Sequence, residues 1–244
     1  MRHAILGDIH ANLAAFQAVL EDIEIRGGFD EIWCLGDIVG YGPEPHACIE
    51  LLQQYKSACV VGNHDWAAIG RIDILDFNPD AARACRWTAK QLTTEDAEYL
   101  QSLAVKLTRG DFTLAHGSPR QPIWEYLLSV DGAKDNFSDF DTRFCLVGHS
   151  HVPLIFWQTK DGNCFMTEIP DTISLEYEKH RLIINPGGVG QPRDGDPRAS
   201  YAIYDSDAQV IYHYRVDYDI AVTQEKMAEY GLPSPLALRL NYGH

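Results

Sequence analysis

Three times in its first quarter the chain runs through a short apolar stretch and stops at glycine followed by an acid or amide. These stops are Leu6-Gly7-Asp8, Leu35-Gly36-Asp37 and Val61-Gly62-Asn63. Between the first two, Leu13, Phe16, Leu20 and Ile23 recur at spacings of 3, 4 and 3, the apolar stripe of a helix, and Gly27-Gly28 ends it. Residues 45–55 supply a second helical stretch. The order strand, helix, strand, helix, strand calls for parallel strands joined by right-handed crossovers. Such a sheet is covered on both faces, which commits the chain to an α/β fold.

The remainder changes texture. Residues 79–92 and 94–103 read as helices. After Leu107 come short β-rich segments at 112–115, 144–147, 154–158, 163–168, 181–184, 201–204 and 210–215. A last helix is predicted over 220–230, and Gly231 onward reads as a tail. No repeat, low-complexity block or linker divides the chain, so residues 1–244 read as a single domain, long enough to bury a core without staples.

Charge and composition exclude several classes of function. Twenty Lys+Arg against thirty-five Asp+Glu give a net charge of −15. That surface repels polyanions at long range, which disfavours long nucleic acids and anionic membranes. No stretch approaches the ~18 apolar residues of a membrane span, and Asp8 interrupts the first apolar run too early for a signal peptide. The six cysteines (34, 48, 59, 85, 145 and 164) are scattered, without a C-x-x-C pair. They read as reduced thiols of a cytoplasmic protein.

The chemistry-bearing side chains gather where strands end: Asp8-Ile9-His10, Gly36-Asp37, Gly62-Asn63-His64-Asp65, His116-Gly117 and Gly148-His149-Ser150-His151. In open α/β sheets such ends converge on one crevice. Asp8, His10, Asp37, Asn63, His116, His149 and His151 make seven nitrogen and oxygen donors with no thiolate. Seven are too many for one ion. With one bridging carboxylate they suit two ions ~3.5–4 Å apart, an arrangement used for in-line displacement at phosphorus. The donor types favour manganese, iron, zinc or nickel. Asp8 with His10, and His149 with His151, are two residues apart, so continued strand geometry predicts that each pair points to one side.

In this order, D-x-H, G-D, G-N-H-D, H-G and G-H-x-H resemble the calcineurin-like metallophosphoesterase superfamily, nearest its small prokaryotic phosphodiesterases. Asn185-Pro186-Gly187-Gly188 extends the likeness. The resemblance implies an α/β fold, a four-layer α/β/β/α sandwich of two mixed β-sheets flanked by helices. It implies two divalent metal ions, one held by Asp8, His10, Asp37 and His151, the other by Asp37, Asn63, His116 and His149. Asp37 would bridge them, and water activated by the pair would attack phosphorus in line. His64 would act as general acid or donor toward the leaving-group oxygen. The chain would then be a hydrolase of a small phosphodiester or phosphoanhydride.

One departure narrows this. The phosphoprotein phosphatases of the superfamily carry an acid and an arginine three and four residues after the bridging aspartate. Here those positions are Gly40 and Tyr41. This argues against a protein phosphatase and leaves His64 without that acidic partner. Asp65 reads as a helix cap.

Around this centre several residues have two readings. Arg193, in the Gly/Pro-rich loop 185–198, either faces a substrate phosphate or sits on a surface connection. Tyr41 stacks on a base or packs, and Asn12 contacts substrate or caps the first helix. Trp124, Tyr126, Phe137 and Phe140 either form a pocket wall or, as the preferred reading, serve as ordinary core or cover. Two other functions fit the same residues: a non-catalytic metal-binding scaffold, and a phosphomonoesterase or nuclease on the same dimetal core. Specificity would lie in loops 66–79, 117–143 and 185–198.

Overall fold

In a computed structural model of the protein, residues 1–175 and 179–244 are described. The opening alternation forms as its spacing predicts. Strand β1 (Arg2–Leu6) leads through helix α1 (Leu13–Ile25) to β2 (Glu31–Cys34), and helix α2 (Pro45–Gln53) leads to β3 (Ser57–Cys59). The three strands are parallel neighbours. Their side chains alternate between two cores. Ala4, Leu6, Ile32 and Cys34 pack with Phe16, Val19 and Leu20 of α1, whereas Ile5 and Trp33 face the other way.

Three helices follow: α3 (Asn63–Ala68), α4 (Pro79–Gln91) and α5 (Thr94–Ser102). Then come β4 (Lys106–Arg109), β5 (Phe112–Ala115), helix α6 (Val130–Asn136), β6 (Phe144–Leu146), β7 (Leu154–Gln158) and β8 (Cys164–Glu168). The chain continues through β9 (Thr172–Ser174), β10 (Arg181–Asn185), β11 (Ala199–Asp205) and β12 (Val210–Val216). Helices α7 (Ile220–Glu229) and α8 (Ser234–Leu238) and a 3-10 turn (Arg239–Asn241) end it.

The strands form two six-stranded mixed sheets, in the orders β3-β2-β1-β11-β12-β9 and β4-β5-β6-β10-β7-β8. Ile5, Trp33 and Leu35 meet Phe112, Leu114, Phe144 and Leu146 between them. On the outer face of the second sheet, Cys145, Phe156 and Ile183 pack against Ala133 of α6 and Phe137 and Phe140 after it. The layers are therefore α/β/β/α, as the resemblance implies. Among the described residues no helix is long and apolar enough to cross a membrane. All six cysteines are free thiols.

The reading of residues 231–244 as a tail is overturned. Leu236 and Leu240 are buried with Tyr41, Ala81, Ala84 and Met227 in a cluster that joins α4, α7 and α8. A five-residue helix behind Gly231 and Pro233 is too short to show a period of 3.6 residues.

Candidate functional site

Every candidate ligand lies just beyond the carboxyl end of a parallel strand. Asp8, Asp37 and Asn63 follow β1, β2 and β3 of one sheet, and His116 and His149 follow β5 and β6 of the other. Two compact groups result, Asp8 with His10 and His151, and Asp37 with His116 and His149, and all six residues are buried.

The strand geometry that sequence spacing assumed does not continue into these segments. Asp8, His10, Asp37, His149 and His151 all have positive φ, from 50° to 64°. Few non-glycine residues adopt that backbone, and it turns each side chain sharply off the strand direction. Asp8 and His10 do share a group, but His149 and His151 divide between the two. That part of the spacing argument is corrected.

The imidazoles are held with one nitrogen facing inward. His10 Nδ1 lies 3.1 Å from the Val39 carbonyl, His116 Nδ1 2.8 Å from that of Leu35, and His149 Nε2 3.2 Å from that of Trp124. His151 Nδ1 contacts the Gln191 carbonyl at 2.5 Å. A carbonyl only accepts, so each of these nitrogens is the one that carries hydrogen. In His10, His149 and His151 the inward nitrogen is then a lone pair; in His116 burial is outweighed by the Asp37 carboxylate, which raises it to about 9, so its inward nitrogen carries a proton that a bound ion would displace. The inward nitrogens face one another. His10 Nε2 and His151 Nε2 are 3.1 Å apart, as are His116 Nε2 and His149 Nδ1. The Asn63 carbonyl oxygen is 3.1 Å from His116 Nε2.

Converging lone pairs fit cations. Burial holds His10, His149 and His151 well below the usual histidine range, so they are neutral ligands at neutral pH. Burial also pushes Asp8 up to about 7, against the opposing pull of His116. Asp37 connects the two groups. Its Oδ1 accepts from the His64 backbone N–H at 2.8 Å. Its Oδ2 has no hydrogen-bond partner and lies 3.6 Å from His10 Nε2 of one group and 3.3 Å from His116 Nε2 of the other. A buried carboxylate oxygen left in that position has the placement of a bridging ligand. The geometry and the donor chemistry thus fit two divalent ions.

Close backbone approach makes this possible. A Cβ on Gly62 would stand 2.0 Å from Asp37 Oδ1, so only glycine lets that strand end reach the carboxylate. Asp65 takes the capping role, accepting from the N–H groups of Gly62 at 2.9 Å and Val39 at 3.1 Å. His64 packs among Tyr41, Phe77 and His10, with ring centroids 4.3, 4.7 and 4.9 Å away. Its Nδ1 is buried without a partner. Gly40, in the position where an acid occurs in the phosphoprotein phosphatases, lies directly against this ring: a Cβ there would be 2.5 Å from His64 Nδ1.

The outer residues separate cleanly. Asn12 caps α1, accepting from Ala15 N–H at 3.2 Å and donating to the Gly190 carbonyl at 2.9 Å, so its amide is engaged within the fold. Tyr41 is buried, edge-on to His10. Arg193 Nη2 donates to the Tyr41 hydroxyl at 3.4 Å and to Gln191 Oε1 at 2.9 Å. Phe137 and Phe140 are core, as expected, but Trp124 and Tyr126 are half exposed beside the site. Tyr126 stacks on His149 with centroids 3.9 Å apart, and Phe77 meets Trp124 edge to face at 5.7 Å. Their position just after His116-Gly117, in a loop without apolar period, was the one signal that set them apart from core aromatics.

Comparison with known proteins agrees with this geometry. The chain is 41% identical to an uncharacterized protein of Methanocaldococcus jannaschii, over 98% of this chain and 97% of that one. The crystal structure of a metallophosphoesterase from Sphaerobacter thermophilus superposes with a TM-score of 0.89 at 50% identity, covering 100% and 99% of the two chains. A symmetrical bis(5'-nucleosyl)-tetraphosphatase of Haemophilus ducreyi is 26% identical over 56% of this chain, which spans 54% of that relative's length. Residues 1–209, which carry all seven candidate ligands, match the calcineurin-like phosphoesterase superfamily domain, and the chain belongs to that family.

Proposed function

We propose that the chain is a dimetal phosphodiesterase that hydrolyses a small phosphodiester or phosphoanhydride. The observation that carries this reading is Asp37 Oδ2, buried and unpartnered between two groups of inward-facing donors. Asp8, His10, Asp37 and His151 would hold one ion, and Asp37, Asn63, His116 and His149 the other. When bound, such a pair acidifies water and neutralises charge on the phosphoryl oxygens.

The chain's own residues do the rest. Four backbone carbonyls fix the ring orientation of the histidine donors. Burial lowers His64 to about 4, outweighing the pull of Asp37, so its ring is neutral at pH 7. A neutral imidazole suits a hydrogen-bond donor to the leaving-group oxygen better than a full proton donor. Trp124, Tyr126 and Phe77 give the cleft an aromatic wall, which suits an organic or nucleotide group on the ester. The tetraphosphatase likeness supports a phosphoanhydride among the substrates.

The test is hydrolysis of bis-p-nitrophenyl phosphate against p-nitrophenyl phosphate by metal-stripped protein given manganese, nickel, zinc or magnesium singly. Metal-dependent turnover favouring the diester is expected. Asp37→Ala should lose bound metal and activity together, and His64→Ala should keep metal while losing about 10²–10⁴-fold in turnover of an ester with a poor leaving group. A preference for the monoester would make the protein a phosphatase. Two ions bound with no turnover would favour the scaffold reading.

A further inference from the structure

Three of the four histidine donors are steadied by carbonyls of buried residues, Val39, Leu35 and Gln191. His149 differs in two respects. It is turned the other way, with Nδ1 inward and Nε2 outward, and the carbonyl that Nε2 meets belongs to Trp124, which is 39% exposed. Tyr126, also half exposed, stacks on the face of the same ring with 20° between the planes. A single connection, residues 116–129 between β5 and α6, therefore holds His149 from two sides. Surface loops are ordinarily the mobile parts of a fold, so this one can orient a ligand only if it is itself held.

Glu125, between the two aromatic residues, does the holding. Its side chain is 15% exposed. Oε2 accepts from Ser118 Oγ at 2.5 Å and from Asn136 Nδ2 at 3.0 Å, and both of these partners are buried. Oε1 pairs with Arg120. The network closes on itself, because Ser118 Oγ accepts from Gln121 N–H at 2.9 Å and Asn136 Oδ1 accepts from Arg120 N–H at 2.9 Å. Gly117 fits tightly beneath it: a Cβ there would stand 3.0 Å from the Glu125 nitrogen and 3.1 Å from its carbonyl oxygen. The Arg120 side chain is 37% exposed, so that ion pair contributes little, and the buried hydrogen bonds to the carboxylate contribute more. Asn136 lies in α6, so the carboxylate ties the loop to the helix that packs on the second sheet. None of these partners is a candidate ligand, and Glu125 acts on the site only through its two neighbours.

We propose that Glu125 is the positioning residue for His149. It latches the 116–129 loop to α6, and through the Trp124 carbonyl and the Tyr126 ring it fixes which nitrogen His149 presents to an ion. The inference rests on the dimetal reading and adds an asymmetry to it. The ion held by Asp8, His10, Asp37 and His151 depends on carbonyls of buried residues, whereas the other depends on a loop that also forms the aromatic wall of the cleft.

The test is calorimetric titration of metal-stripped protein with manganese, together with nitrogen-15 NMR of the histidine rings before metal is added. Glu125→Ala should weaken one of the two binding steps by about tenfold or more, the scale for losing an outer partner of a metal-binding histidine, and leave the other unchanged. Asn63→Ala, which removes a donor from the His149 group alone, marks which step that is. Glu125→Gln keeps an acceptor for Ser118 and Asn136 and should recover part of the loss. In the NMR spectrum wild-type His149 should carry its hydrogen on Nε2, and Glu125→Ala should show a mixture of the two tautomers, while His10 and His151 keep theirs on Nδ1. General destabilisation would not single out one ring in this way. Should the alanine variant at 125 fail to fold, Ser118→Ala removes one buried partner and carries the same expectations. Equal weakening of both steps, or an unchanged His149 tautomer, overturns the role of Glu125. If the wild type binds no ion, the dimetal reading fails, and the tautomer of His149 still decides whether Glu125 positions it.

Discussion

Replacing Gly40 by alanine probes the seat of His64 without touching any candidate ligand. Two costs arise from the structure. Gly40 has φ of +93°, where an L-residue is strained by about 1–2 kcal/mol. The new Cβ would also stand 2.5 Å from His64 Nδ1 and 2.9 Å from both Cβ and Cγ of that ring. Those last two atoms are near the backbone and cannot swing away cheaply, so overpacking adds about 1–3 kcal/mol. The sum, about 2–5 kcal/mol, corresponds to a melting midpoint lower by roughly 5–20 °C in a chain of this size. Thermal unfolding, metal content and turnover of a diester would be measured on the same preparation. Metal content should hold while turnover falls, because the ring is displaced and the donors are not. The double variant Gly40→Ala/His64→Ala separates the terms. Removing the ring removes the overpacking, so the two substitutions should couple favourably by about 1–3 kcal/mol. Strict additivity, or wild-type turnover in Gly40→Ala, would refute the contact as the constraint on His64.

Three further outcomes follow from the geometry. Chelation should lower the midpoint, since each ion at a free concentration a hundredfold above its Kd contributes about 2.7 kcal/mol; identical midpoints with and without chelator would remove the ions from the folded-state energetics. Leu240→Ala should cost about 2–4 kcal/mol, whereas Leu238→Ala, 60% exposed, should stay within about 0.5 kcal/mol; equal effects would return residues 231–244 to the status of a tail. His213, hydrogen-bonded to Ser200 Oγ at 2.9 Å, is lowered to about 4 by burial and by Arg215. The unfolded chain binds this proton near pH 6.5 and the folded one does not, so stability falls as pH drops from 6.5 toward 4. His213→Asn should flatten that slope by about 3 kcal/mol across the window, read from urea midpoints at successive pH values; an unchanged slope would place the titration elsewhere.

The site was legible because its chemistry sits on the most patterned part of the chain. A run such as Glu31–Cys34 followed by Gly36-Asp37 announces both the strand and where it stops. Sequence does not announce what the backbone does next. The left-handed turns at Asp8, His10, Asp37, His149 and His151 carry no propensity signal, which is why strand spacing put His149 and His151 on one side while the resemblance sorted them as the structure does. Edge strands were hard to see for another reason. Lys106–Arg109 lies at the edge of its sheet, half exposed, with alternating polar residues that suit a loop as well as a strand. Val130–Asn136 was missed because its sequence, with glycine and two aspartates, favours turns; the Ser129 cap, the buried Asn136 amide and the packing of Ala133 hold it as a helix. Apart from their position after His116-Gly117, what separates Trp124 and Tyr126 from Phe137 and Phe140 is burial, a property of the assembled tertiary structure.

The strand order has a consequence for how the protein is made. β1 lies between β2 and β11, and β6 between β5 and β10, so each sheet is split at its centre by a strand from late in the chain. All seven donors have been translated by residue 151, but β10 ends at Asn185 and β11 at Asp205. At about 5–20 residues per second a nascent chain spends seconds with its histidines synthesised and its sheets incomplete. During that interval loose imidazoles would bind cupric ion more tightly than manganese or iron, following the usual affinity order. For the dimetal reading proposed above, selection among ions would therefore rest on closure of the two sheets, which fixes the spacing of the donors.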